Sequence, residues 1–234
     1  MTIKKILYSL IGLMLPLSLL ADHCGAKVDA GAVYVHIDVL ESGHTIKKLD
    51  MAGFKLNGTV MLKEGTGFCV KPDILYASGH GELISGAIGF GHVTPVTKDF
   101  CITPSAGIIV TNLRTSVDAS VMPDFPPVHF RERFRSHAPY IALDFNYNIC
   151  KGFRICFNVQ YSWSRTHTRL HNNKLDSVLK FKGNSKGSSY AVMVEKDIND
   201  QWSMHLGAAY NSSLSHEKHG LRGYGIKLGV ARWF

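Results

Sequence analysis

The chain has 234 residues, is 45% hydrophobic with a mean hydropathy of +0.02, and carries a formal net charge of +8. Beyond one N-terminal apolar run there is no stretch long enough for a helix to cross a bilayer, which excludes helical membrane spans. The basic balance alone would suit a nucleic acid, but no recognition motif accompanies it, and an exported chain has no such partner to meet.

Lys4 and Lys5 precede an apolar run from Ile6 to Leu20. That run is too short for a comfortable spanning helix and fits the core of a signal peptide, with Ala21 as the cleavage residue. Lipid attachment at Cys24 is disfavoured, because His23 stands where a small residue is needed. The expected organisation is a signal peptide over residues 1–21, a short segment over 22–27 and a single all-β domain over 28–234. The near-zero hydropathy fits a barrel, because polar rows lining its lumen offset the apolar rows facing lipid.

Ten strands are read in order, with eight as the alternative count. Val28–Val39 carries Val33, Val35, Ile37 and Val39 as one apolar row. Gly53–Lys63 sets Phe54, Leu56, Val60 and Leu62 against Lys55, Asn57, Thr59 and Lys63. Gly67–Ser78 sets Phe68, Val70, Ile74 and Tyr76 against Cys69, Lys71 and Asp73, with an irregularity expected at Pro72. Glu82–Val93 presents Ile84, Ile88 and Phe90, and Phe100–Asn112 presents Phe100, Ile102, Ala106, Ile108 and Val110. The clearest pair is the hairpin Pro139–Trp163. One face reads Ile141, Leu143, Phe145, Tyr147, Ile149, then Phe153, Ile155, Phe157, Val159, Tyr161, Trp163 after the turn Cys150-Lys151-Gly152. Alternation of side chains along a strand makes that face wholly apolar and the other polar. Ser188–Lys196, Trp202–Asn211 and Tyr224–Phe234 complete the series. Strands of about ten residues are what a tilted crossing of a bilayer requires.

Connections alternate between short (Glu64–Thr66, Thr94–Asp99, Cys150–Gly152, Asp197–Gln201) and mostly longer ones (Glu41–Ala52, Leu113–His137, Arg165–Gly187, Ser212–Gly223). Aromatic residues fall at both ends of the outward rows: Phe68, Phe100, Tyr147, Phe153, Trp202 and Phe234 at the short-turn end, Tyr76, Tyr161, Trp163, Tyr190, Tyr210 and Tyr224 at the other. Two aromatic girdles are the mark of two membrane–water interfaces. Tyr140 alone breaks the parity. A secreted β-sandwich with aromatic core rows is the competing architecture.

The closing stretch Tyr224–Phe234, with Ile226, Leu228, Val230 and the C-terminal Phe234, resembles the last strand of Gram-negative outer-membrane β-barrel proteins of the small opacity and outer-membrane-protein-A-barrel type. Arg232 departs from that pattern, with Trp233 one place off. The resemblance implies an up-and-down transmembrane barrel in the outer membrane, termini in the periplasm and long loops outside. It also implies Phe234 as the signal read by the barrel-assembly machinery, and contact with membrane lipid and lipopolysaccharide.

In such a barrel Lys55, Asp73, Asp144, Arg154, Glu195 and Lys227 face the lumen and can form a network of both signs. The lumen is then either a polar plug or a narrow ion path. Cys24, Cys69, Cys101, Cys150 and Cys156, in an exported chain, are candidate disulfide residues, with Cys150 and Cys156 flanking one turn. Cross-linking to other cysteine-containing envelope proteins would resemble the disulfide-linked envelopes of some obligate intracellular bacteria.

No cofactor or metal site is expected; the histidines are scattered, and His167, His171, His216 and His219 lie in expected loops with no cysteine nearby. Glu195, Ser203 and His205 have the residue types of a lipid-modifying enzyme but lie toward the wrong end of the wall, so no catalytic residue is assigned. The long loops supply a basic contact surface, Arg131, Arg133, Arg135, Arg165, Arg169, Lys174, Lys180, Lys182 and Lys186, suited to lipopolysaccharide phosphates or to a host surface polyanion. The function expected is a structural or adhesin-like barrel. A narrow channel and an outer-leaflet lipid-modifying enzyme are the alternatives.

Overall fold

The computed structural model describes residues 25–63, 66–119, 128–172 and 177–234. The expected signal peptide, Cys24 and Lys174 lie outside these residues. Ten long strands form the wall: β1 Ala26–Glu41, β2 His44–Met61, β3 Phe68–Gly79, β4 Glu82–His92, β6 Phe100–Ala119, β7 Val128–Cys150, β8 Phe153–Asn172, β9 Ser177–Asp197, β10 Trp202–Leu214 and β11 Gly220–Trp233. β5, Thr94–Pro95, is a two-residue arm that pairs with β6 in the turn after β4.

Every pairing is antiparallel, and the sheet closes twice over: β4 pairs with β6, and β1 pairs with β11. Closure satisfies both sheet edges. At the terminal end the Phe234 amide donates to the Ala26 carbonyl at 2.8 Å. This is a barrel, not two stacked sheets whose apolar rows meet. Its outward rows stay exposed, with Ile108 at 55% and Leu228 at 58%.

The turns at the terminal end are short, as expected. Lys151 and Gly152 join β7 to β8, with Gly152 at a φ of 77°. The far end departs from expectation. The Glu41–Ala52 connection is a two-residue hairpin, Ser42 and Gly43, both with positive φ, the geometry that matches strand twist. The segments read as loops over Leu113–His137 and Arg165–Gly187 are mostly strand. β7 runs for 23 residues and β9 for 21, roughly twice the 9–11 that span a bilayer. β4, on one flank, has 11, and β10, on the other, has 13. The upper parts of β6–β9 therefore stand above the rest of the wall as a four-stranded sheet.

A second correction concerns β1. Its apolar row Val33, Val35, Ile37, Val39 points into the lumen, not outward, because it shares parity with Lys27, Asp29 and Gly31. The register places Asp29 opposite Ala231 and Val33 opposite Lys227. Ile37 then joins Leu49, Met51, Ala77, Leu83 and Leu113 in a buried apolar cluster inside the barrel, bordered by Val35, Val39, Leu75, Phe134 and Leu221.

Candidate functional site: a filled lumen and a basic outer face

The lumen is built in two storeys. The lower one, toward the termini, is ionic. Lys55 pairs with Asp73 at 2.8 Å, and Arg154 with Asp197 at 2.7 Å. Lys71 pairs with Asp144, which also accepts from Asn158 Nδ2 at 2.8 Å. Lys27 pairs with Glu195, and Lys227 with Asp29, Lys227 also donating to Asn57 at 2.7 Å. All six charged residues expected to line the lumen are there, each paired. The partners Lys27, Asp29 and Asp197 escape the sequence, the first two because the apolar row of β1 that shares their parity looks like a lipid-facing one. Charges withdrawn from water persist only when matched in this way.

Below these pairs Trp233 turns inward, its ring 4.7 Å from Lys27 Nζ and 4.8 Å from the Arg154 guanidinium. This explains the departure at the C-terminus. Trp233 has lumen parity and floors the barrel, while Arg232 lies outside against the rings of Trp202 and Phe234. The upper storey is the apolar cluster around Leu49 and Met51. Between the two lies Tyr140, the residue of broken parity, buried in the lumen over Gly89 and Gly107.

Glu195, Ser203 and His205 do come together, all buried, but not as a nucleophile and its base. The Ser203 hydroxyl donates to Glu195. His205 is 2% exposed, sits 3.4 Å from Asp29 through Nε2, and neither ring nitrogen has a hydrogen-bond partner among the described residues. No group of metal-ligating residues occurs among the described residues.

The described cysteines Cys69, Cys101, Cys150 and Cys156 are free thiols. Register explains the correction for the pair flanking the turn: Cys156 faces Asn146, and Cys150 faces Phe153. Cys101 also faces Asn146, so Cys101 and Cys156 sit two strands apart, about 9.5 Å at the usual strand spacing and beyond disulfide reach.

The described basic residues of the expected set lie on strands, not in loops. Reading across β4, β6, β7, β8 and β9, one outward row is Glu82–Arg114–Arg133–Arg169–Lys180. The row beneath is Ile84–Asn112–Arg135–His167–Lys182, and the next contains Val110, His137, Arg165 and Asn184. Above lie Arg131 and His171. Lys186 sits lower, opposite Trp163.

Among the described residues of these rows Glu82 is the one acid, held by Arg114 at 3.1 Å. Arg133 Nε donates to Asn112 at 3.2 Å, and its guanidinium is pushed below the usual range by desolvation and by Arg135, Arg114 and Arg169 around it. Like charges stacked at strand spacing repel one another and favour a bound anion.

No family model matches the chain, and no curated protein matches it. Its fold is similar to solved outer-membrane barrels. Against the outer membrane protease OmpT of Escherichia coli the TM-score is 0.62 at 12% identity, over 91% of this chain and 97% of that one. Against the translocator domain of the autotransporter NalP of Neisseria meningitidis it is 0.52 at 9% identity, over 98% and 97%. The Ail attachment invasion locus protein of Yersinia pestis scores 0.46 at 9% identity, over 91% and 99%. The chain is thus an all-β, ten-stranded antiparallel barrel of the bacterial outer-membrane type.

Proposed function

We propose that this barrel spans the outer membrane as a closed structural element and acts through contacts on its surface, not by conduction or catalysis. One observation carries this reading: the lumen is occupied along its length by paired charges, Tyr140 and an apolar cluster. An ion entering would have to part salt bridges in the lower storey and dewet an apolar layer in the upper one.

Two features support a non-enzymatic role. The Ser203 hydroxyl is spent on Glu195, and His205 is sealed from solvent. The lumen layer above them is the buried cluster of Leu49, Met51, Leu83 and Leu113, none of which can serve as an acid or a base. The likeness to a protease is one of fold.

The shape supports one orientation over the other. Ala26 and Phe234 lie at one end and the tall sheet at the other, and in outer-membrane barrels the longer excursions of the chain face outside. The extension of β6–β9 then stands outside the cell. The test is single-channel recording after reconstitution into planar bilayers. No discrete openings are expected across the voltage range the bilayer tolerates; stable, regular openings would overturn the closed-lumen reading.

A further inference from the structure

β10 stays beside β9 only as far as Leu214, opposite Lys186. Above that level residues 177–185 pair, among the described residues, with β8 alone. One side of this backbone therefore keeps its amides and carbonyls open, at the edge of the tall sheet. β6 opens a shorter stretch on the opposite flank, residues 115–119, above the pairing of Arg114 with Glu82.

The two faces of the β9 edge differ in kind. Outward stand Lys180 and Lys182, both exposed, and residues 177–185 contain no acid. Inward stand Leu179 and Phe181, 51% and 54% exposed. Phe181 ends a row that runs through Thr168 and Phe134 to Leu113. Leu113 belongs to the buried cluster of the upper lumen, and Phe134 packs against it. The apolar layer of the barrel thus continues up the inner side of the extension and stops, uncovered, beside open backbone. One more strand would cover it.

We propose that residues 177–185 of β9 take up an extended segment of another protein as an added strand, one in which acidic side chains alternate with apolar ones. Its acids lie outward beside Lys180 and Lys182, and its apolar side chains lie inward beside Leu179 and Phe181. This rests on the surface-contact reading above and names the class of partner. In strand addition the main chain supplies affinity, and alternate side chains supply selectivity. Lysines on an open edge discourage indiscriminate pairing, and the same lysines favour a strand that brings carboxylates opposite them. A second copy of the chain fits poorly. Two barrels in one membrane share an orientation, so β9 against β9 would run parallel and set the lysines of one copy beside those of the other. A soluble polyanion has no apolar row to lay beside Phe181.

The probe is a labelled ten-residue peptide of alternating Glu and Val, titrated by fluorescence anisotropy against the folded barrel in detergent. One companion has the same composition with all its Glu residues first. A second has Lys in place of Glu. A third keeps the alternating sequence with its backbone amides N-methylated, which preserves the charges and removes the donors. The alternating acidic peptide is expected to bind at least about tenfold more tightly than any of the three. The variant K180E/K182E is expected to reverse the preference toward the Lys peptide, a gain of binding that a misfolded barrel could not supply. Hydrogen exchange should show new protection within residues 177–185 and none within residues 115–119.

Equal binding of the N-methylated peptide would reduce the contact to charge attraction and overturn strand addition. A K180E/K182E variant that keeps the parent's preference, or protection that falls on residues 115–119 instead, would remove the β9 edge as the site. Protection of residues 177–185 that rises with protein concentration in the absence of peptide would give the edge to a second copy and overturn the assigned partner. Single-channel recording of the same preparations separates this inference from the closed lumen. A silent barrel that ignores the peptide keeps the closed lumen and loses this partner; a conducting barrel that binds it, with the charge reversal intact, loses the closed lumen and keeps the edge.

Discussion

Tyr140 shows how a single lumen residue settles the packing around it. Its ring lies where Gly89 and Gly107 leave room: a Cβ on Gly89 would sit 2.2 Å from the Tyr140 hydroxyl but 3.3 Å from Cζ. Gly89→Ala is therefore expected to destabilise the barrel by about 1–3 kcal/mol, as overpacking does. Tyr140→Phe removes the clashing atom, so G89A/Y140F should recover most of that loss in a double-mutant cycle read by urea unfolding in detergent. Simple addition of the two single effects would show that the contact is not the cause. Such residues were partly legible beforehand. Alternation exposed Lys55, Asp73, Asp144, Arg154, Glu195 and Lys227 as lumen groups, and flagged Tyr140 as out of step. It could not reveal Lys27 and Asp29, because Val33, Val35 and Ile37 in the same row look identical whether they meet lipid or an apolar layer inside. Only the register with β11 decides between those, and register is a property of the closed sheet.

The element that sequence reading described least well is the extension of β6–β9. Above the membrane neither face needs a continuous apolar row, so the period-two signal fades, and Leu113–His137 reads as loop although most of it is strand. Its inward face carries Glu132 among half-buried neighbours. Burial raises the Glu132 carboxyl above its ordinary 4.5, with Lys47 only partly offsetting this. A folded-state pKa raised above the unfolded one means the protonated form favours the fold. The contribution of Glu132 to the extension is thus present below about 4.5 and lost as pH rises through the folded value. Hydrogen-exchange protection of β6 and β7 above Leu113, corrected for intrinsic rates, should fall as pH rises through that window. Glu132→Gln should flatten the profile and leave the wall below unchanged; a parent profile without slope would remove Glu132 as its source. The thiols test the placement of the other end. Cys150 is exposed in the turn of β7 and β8, and Cys69 is 1% exposed. A membrane-impermeant maleimide should modify Cys150 in lysed cells but not intact ones, and reach Cys69 only after unfolding. Labelling of Cys150 in intact cells would invert the orientation.

At the scale of the whole molecule, the proposed closure rests on two layers that would fail under different conditions. The lower storey is electrostatic: Lys227 against Asp29, Lys55 against Asp73, Lys71 against Asp144, with Trp233 beneath. The upper storey is a layer of Leu49, Met51, Leu83 and Leu113, which on the closed-lumen reading excludes ions by refusing to be wetted. Removing one storey should therefore leave the other holding. Trp233→Ala opens the floor but not the apolar layer, so reconstituted W233A is expected to remain silent in planar bilayers. Met51→Ser wets the upper layer, but its ions still meet the paired lumen charges, and it too should remain silent. The combination M51S/W233A weakens both, and is expected to show brief openings that neither single variant shows. Those openings should grow more frequent at high salt, because salt screens pairs once water reaches them. Conduction by W233A alone would mean that the apolar layer is no barrier and that the floor alone closes the barrel. Silence of the double variant at every salt concentration would place the seal in Tyr140 and the central ion pairs, which both substitutions leave intact.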